Sequence, residues 1–178
     1  MNLKKPRISI EELPQDFIYT KKILSKNGTF EISQFVLEPE STEYGACAFM
    51  INNVNILFRT AKTTPTKIGQ FVTLWKRVNQ GPIQPFDSTD AIDVFIISAR
   101  KGDHFGLFIF PKSVLINNQI VSDTKEGKRA IRVYPPWDRT TSKQAQKTQK
   151  WQSDYFLEVT QDEKIDLKRA KLLLPTKY

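Results

Sequence analysis

Asp93 and Lys112 stand at the two ends of DVFIISARKGDHFGLFIFPK, residues 93–112, and are the first pair whose types and spacing could do chemistry. An Asp opening an apolar strand, a Gly-containing turn and a second strand running into a Lys is an order suited to metal-assisted phosphodiester cleavage. The acid would hold the ion, and the ammonium would face the charge that develops in the transition state. A divalent ion needs several oxygen ligands. The second carboxylate belongs two residues before the Lys, and Phe110 stands there instead. Asp90 and Asp103 lie nearby, and Glu38, Glu40 and Glu43 come from an acidic stretch upstream. Asp93, Lys112, Glu43 and Asp90 are therefore the candidate catalytic set. A second register places Lys62 two residues after Thr60, with Glu43 as the earlier acid and again no middle carboxylate. The two registers stay open. No metal is expected in either, and Mg²⁺ enters only if a non-standard set of these acids cuts phosphodiesters.

A different chemistry is suggested by FRTAKTTPTK, residues 58–67. Arg59 and Lys62 fall at a strand end, and Thr64, Thr66 and Lys67 at an expected helix start, where free N–H groups and the positive dipole end attract anions. Arg59, Lys62, Thr64 and Lys67 are expected to hold phosphate. This is not a P-loop, because its glycines are missing.

A third set comes from GKRAIRVYPPWDRTTSKQAQKTQKWQ, residues 127–152. Lys128, Arg129, Arg132, Arg139, Lys143, Lys147 and Lys150 are interleaved with Tyr134, Trp137 and Trp151. Basic groups track phosphates, and aromatic faces stack on bases. Gln144, Gln149 and Gln152 are candidates for reading base edges. With Lys112, the residues Arg129, Arg132, Trp137, Lys143 and Lys147 extend the expected nucleic-acid surface.

Composition agrees with a polyanionic partner: 27 Lys and Arg against 19 acids give a formal charge of +8. It also narrows the chemistry. His104 is the only histidine, so a Ser–His–Asp mechanism is hard to build. Cys47 is the only cysteine, which excludes an internal disulfide and a thiolate zinc cluster and fits a reducing cytoplasm. Seven glycines form no dinucleotide or phosphate-cradling pattern, so no small-molecule cofactor is expected. The N-terminus carries charge without a following apolar run, and no stretch reaches membrane-span length, so a membrane partner is not expected either.

The elements that must position these residues alternate between helix and strand. Residues 13–28 read as a helix, with Pro14 and Asp16 early, lysines late and Asn27-Gly28 as its stop. Residues 29–37 fit strand or helix, and an acidic linker follows. ACAFMINNVNILFRTAK, residues 46–62, reads as a hairpin with Asn52-Asn53 at its tip. In residues 63–77, Ile68, Phe71, Val72 and Trp75 recur at helical spacing; a helix capped by Thr64 with Pro65 in its first turn is predicted. A loop leads to the strands of residues 93–112. A helical turn, a strand stopped by Pro135-Pro136, a Thr- or Ser-capped helix through residues 140–159 and a short last element complete the chain.

Three stretches also resemble the MepB family: EYGACAF with FRTAKTTPTKIGQFVTLWKR, GLFIFPKSVL, and GKRAIRVYPPWD with QAQKTQKWQ. The resemblance runs from about Glu43 to Phe156. It implies a bacterial cytosolic protein and an α/β fold similar to PD-(D/E)xK endonucleases. Carried over residue by residue, it matches Asp93 and Lys112 and leaves the intermediate carboxylate without a counterpart.

The expected architecture is a single α/β domain of α+β-like character, residues 1–178, with a mixed central sheet flanked by helices and a restriction-endonuclease-like core. Its parts are an N-terminal helix at about 12–27, a nuclease-like core at about 43–137 and a basic, helical C-terminal segment at about 138–178. The expected function is binding of nucleic acid, duplex DNA first. The alternatives are a Mg²⁺-dependent endonuclease and a non-enzymatic protein-interaction domain.

Overall fold

The computed structural model describes residues 12–26 and 28–175. Its centre is a mixed six-stranded sheet in the order β1-β2-β3-β8-β9-β11. These are Ile32–Leu37, Cys47–Ile51, Val54–Thr60, Val94–Lys101, His104–Pro111 and Phe156–Val159. Neighbours run antiparallel except β3 and β8, which pair in parallel from Ile56↔Val94 to Thr60↔Ser98. Beside it lie a three-stranded sheet and a two-stranded one. The first joins β10 (Ala130–Val133), β5 (Gln70–Thr73) and β4 (Lys62–Thr63); the second joins β6 (Trp75–Arg77) and β7 (Ile83–Pro85). Four α-helices are present among the described residues: α1 (Gln15–Ser25), α2 (Lys112–Asn117), α3 (Lys143–Ser153) and α4 (Leu167–Leu173). This is a mixed α+β fold.

The two central strands explain themselves. Residues 94–99 and 105–110 are buried without interruption, as a strand covered on both faces requires. At the tip of this hairpin Gly102 takes φ +56°, the positive value that a Gly-first two-residue turn needs. The β2–β3 hairpin turns at Asn52 and Asn53, both at positive φ, as the paired asparagines predict. One face of the sheet packs on α1 and α4 through Phe17, Leu24, Phe58, Ile96, Ile109 and Leu173. The other face packs on α2 and the three-stranded sheet through Phe95, Phe108, Phe110, Leu115, Val72 and Ile131. At about 25 cal/mol per Å² of apolar surface removed from water, burial of these Phe, Leu and Ile side chains is the main stabilising term.

Two predicted elements are corrected. Residues 64–77 form no helix: β5 and β6 lie in that stretch, with β4 just before it. β5 pairs with β10 from Gln70↔Val133 to Thr73↔Ala130, so Val72 is buried through alternation rather than helical spacing. Gly69, at φ +81°, bends the chain where a Cβ would lie 2.7 Å from the Tyr134 ring. The C-terminal helix is also shorter than expected. α3 is capped by Ser142, whose side chain accepts the Ala145 N–H, and ends at Ser153. Phe156–Val159 then become an edge strand paired with β9. The ambiguous residues 29–37 resolve as strand β1, and the last element as helix α4. Asn27, the predicted helix stop, lies outside the described residues.

Candidate functional site

The hairpin that suggested cleavage has its polar ends tied to the fold. Asn55 and Asp93 bind each other across two strands: the Asn55 N–H donates to Asp93 Oδ2, and the Asp93 N–H to the Asn55 carbonyl, each at 2.9 Å. Lys112 Nζ donates to the carbonyls of Ser88 and Asp90, both at 2.9 Å, and so fastens the loop before β8. Asp90 is held by Lys76, whose ammonium lies 2.7 Å from it and 2.5 Å from Asp87. Hydrogen bonds from Lys76 and Thr89 hold the Asp87 carboxyl at about 2, well below its ordinary value. Phe110 is fully buried, between Phe108, Trp151 and Tyr155. Glu43 sits in an exposed 3-10 turn, Thr42–Tyr44. Among the described residues no three His, Cys, Asp or Glu side chains gather where they could hold a metal ion. The donor set does not fit Mg²⁺, because Lys76 already lies between the two carboxylates that approach each other.

The expected phosphate site at residues 58–67 is corrected as well. With no helix after Thr64, there are no free helical N–H groups to offer an anion. Arg59 is 1% exposed and pairs with Glu38 at 2.5 Å, while also donating to the Phe58 carbonyl. It is an internal cation, closed off by the sheet. Lys62 lies over the Tyr44 ring, 4.6 Å from its centroid. Thr64 Oγ1 accepts from Arg132 Nη2 at 2.7 Å. Arg129 pairs with Glu126 and donates to the Ile83 carbonyl. Trp137 stacks on His104 and edges onto Phe156, so its ring is a packing group rather than an exposed platform.

What the fold does bring together is Lys67 and the third basic set. Pairing of β5 with β10 carries Lys67 to Lys128 and Arg132, and α3 closes the opposite wall. The result is a cleft of about 640 Å³ lined by Lys67, Lys128, Arg132 and Lys147, together with Phe71, Tyr134, Gln144, Thr148 and Trp151. No carboxylate contributes to its wall. The side chains of Lys67, Lys128 and Lys147 make no ion pair or hydrogen bond among the described residues, so their charge has no internal counter-ion. Arg132 is partly committed, because its guanidinium also donates to the Gly69 carbonyl at 3.2 Å and pins the bend at residues 64–69.

The back of the cleft is fastened by two glutamines. Gln152 behaves as a strand partner for β10: its Oε1 accepts the Tyr134 N–H at 2.8 Å, and its Nε2 donates to the Arg132 carbonyl at 3.0 Å. Gln149 Nε2 donates to the carbonyls of Pro135 and Asp138. Two of the three expected readers of base edges are thus structural, and Gln144 alone of them faces the cleft with its side chain unengaged. Lys143, Lys147 and Lys150 follow each other at i, i+4 and i+7 along the exposed rim of α3. Lys67 also borders a second hollow of about 260 Å³, shared with Lys101, Asp138 and Arg139, in which Lys101 pairs with Asp138 at 2.8 Å. Phe71 and Asn118 are wall residues with no signal in the sequence, since only strand pairing and the turn after α2 place them there.

The MepB-like family model matches residues 38–158. The crystal structure of MepB superposes with a TM-score of 0.72 at 33% sequence identity, covering 82% of this chain and 97% of that one. No curated protein matches the sequence. No helix among the described residues is long and apolar enough to cross a membrane.

Proposed function

The chain belongs to the MepB-like family, and from that premise we propose that it is a nucleic-acid-binding protein, taking duplex DNA, whose phosphates lie along the basic cleft between α3 and β10. One observation carries the reading: four cations converge on a concave surface that contains no carboxylate, and three of them lack an internal partner. Lys76, Arg59 and Lys101, by contrast, each sit against a carboxylate. Unpaired cations on one surface raise the local potential and draw in a polyanion. The rim lysines Lys143 and Lys150 lengthen this surface along the helix. Arg132 and Gln152 hold its walls in place, so little ordering is needed on binding.

Binding is favoured over hydrolysis because Asp87 and Asp90 are engaged by Lys76, and Lys112 by two carbonyls. The bacterial cytosol is the setting that suits such a ligand and a single buried, free Cys47. Fluorescence anisotropy of a labelled duplex across a salt series tests the reading. Each phosphate contact releases counter-ions, so three or four contacts give a slope of log K against log salt of roughly −3 to −4. Mg²⁺ should act only as a competing salt and leave the strand intact. Absence of binding at low salt would overturn the proposal.

A further inference from the structure

The walls of the cleft differ in kind from its rim. On α3, Gln144, Thr148 and Trp151 follow one another at i, i+4 and i+7 and face inward, while Lys143, Lys147 and Lys150 form the neighbouring outer stripe. Cations at the mouth with an aromatic ring, an amide and a hydroxyl inside match the two ends of one nucleotide. The phosphate is anionic; the base is flat, with donors and acceptors on its edge. Trp151 is backed by Phe110 at 5.4 Å, which holds the indole in place. Tyr134 on the other wall is seated against Gly69, where any Cβ would collide with its ring. The side chains of Gln144 and Thr148 make no hydrogen bond among the described residues, so their polar groups are available. A hollow of about 640 Å³ also falls within the roughly 300–1,000 Å³ usual for small-ligand sites. It has room for one nucleotide and is far too small for a duplex.

We infer that the cleft takes a single unpaired nucleotide of a nucleic-acid strand, its base between Trp151 and Tyr134 and its phosphates on Lys67, Lys128 and Lys147. This rests on the nucleic-acid reading above and adds to it a preferred substrate class: strands with a bulged, flipped or single-stranded residue. A perfect duplex would lay its phosphates on the cations at the mouth, Lys67, Lys128 and Lys147, and leave the aromatic interior empty. Forcing a paired base out of the stack costs a few kcal/mol, whereas an already unpaired one enters without that cost.

Three labelled duplexes separate the possibilities: fully paired, with one unpaired adenosine, and with an abasic unit at the same bulge. The bulged strand should bind roughly tenfold tighter than the paired one, the gain expected from stacking one base on aromatic rings. The abasic bulge should fall back to the level of the paired duplex. Gln144→Ala, at an exposed position that leaves packing untouched, should reduce the preference for the bulge without changing affinity for the paired duplex. 2-Aminopurine placed in the bulge should lose fluorescence on binding, a readout that does not depend on any variant. Equal affinity for all three duplexes with unquenched 2-aminopurine would overturn this inference and leave duplex binding standing. An equal gain for the abasic bulge would overturn it too, by showing that only backbone flexibility is sensed. Displacement by deoxyadenosine monophosphate at concentrations as low as those of the bulged strand would assign the cleft to a free nucleotide instead. No binding of any strand at low salt would overturn both readings together.

Discussion

Two regions of this molecule carry clustered charge, and they use it in opposite ways. Around the β8–β9 hairpin, Lys76, Lys112, Asp87, Asp90 and Asp93 each have a partner within the fold. In the cleft between α3 and β10, Lys67, Lys128 and Lys147 have none. The first region is assembled from residues whose order along the chain resembles a catalytic motif; the second joins residues about sixty positions apart through strand pairing. Charge that is neutralised internally fixes a loop, and charge left without a partner stays available to an anion from solution.

The contrast is sharpest at Phe110, where a carboxylate would be needed for metal chemistry. Phe110→Ala should destabilise the protein by about 4 kcal/mol, because a fully buried ring packed on Phe108, Trp151 and Tyr155 leaves a cavity. Thermal denaturation measures this, and a loss below about 1 kcal/mol would mean that the site can collapse or is not packed as described. Glu38→Gln comes next, at about 3 kcal/mol by denaturant titration, since it leaves the Arg59 guanidinium buried without a counter-charge. DNA affinity of the folded fraction should be unchanged, which separates Arg59 from a phosphate-binding role.

Smaller effects should distinguish the cleft. Lys67→Ala, Lys128→Ala and Lys147→Ala should each change stability by no more than about 0.5 kcal/mol, as surface substitutions without partners do. A small effect that depends on pH belongs to Asp87. Its carboxyl is held at about 2, so it contributes stability above its ordinary value of 3.8 that is lost as the pH falls through about 2. Because Asp87 is about a third exposed, solvent screening limits that contribution to less than about 1 kcal/mol. Asp87→Asn should flatten the loss of stability between pH 4 and pH 2, and an unaltered acid profile would show that the Lys76 contact is not formed in solution.

Much of the framework was legible along the chain because its signals are local. Asn52-Asn53 marks a hairpin, the uninterrupted apolar runs on either side of Gly102 mark central strands, and Ser142 marks the start of α3. The stretch from Thr64 to Arg77 reads as a helix because Ile68, Phe71, Val72 and Trp75 satisfy helical spacing, while Phe71 and Val72 pair with β10 and Trp75 with β7. Tertiary pairing overrode local pattern there, as it did for Phe156–Val159 against β9. The same blind spot hid the site. Lys67, Arg132, Lys143 and Lys147 were each identifiable as basic residues, but their convergence with Trp151 and Gln144 depends on the β5–β10 register, which no short window contains.

The most direct test sets the two regions against each other by duplex anisotropy over a salt series. The triple variant Lys67→Ala, Lys128→Ala, Lys147→Ala is compared with Lys112→Met, each first shown to be folded. The expected result is that the triple variant loses roughly three units of salt slope while Lys112→Met keeps the wild-type slope. A flattened slope in Lys112→Met with an unchanged triple variant would contradict the assignment and return the nucleic-acid surface to the hairpin.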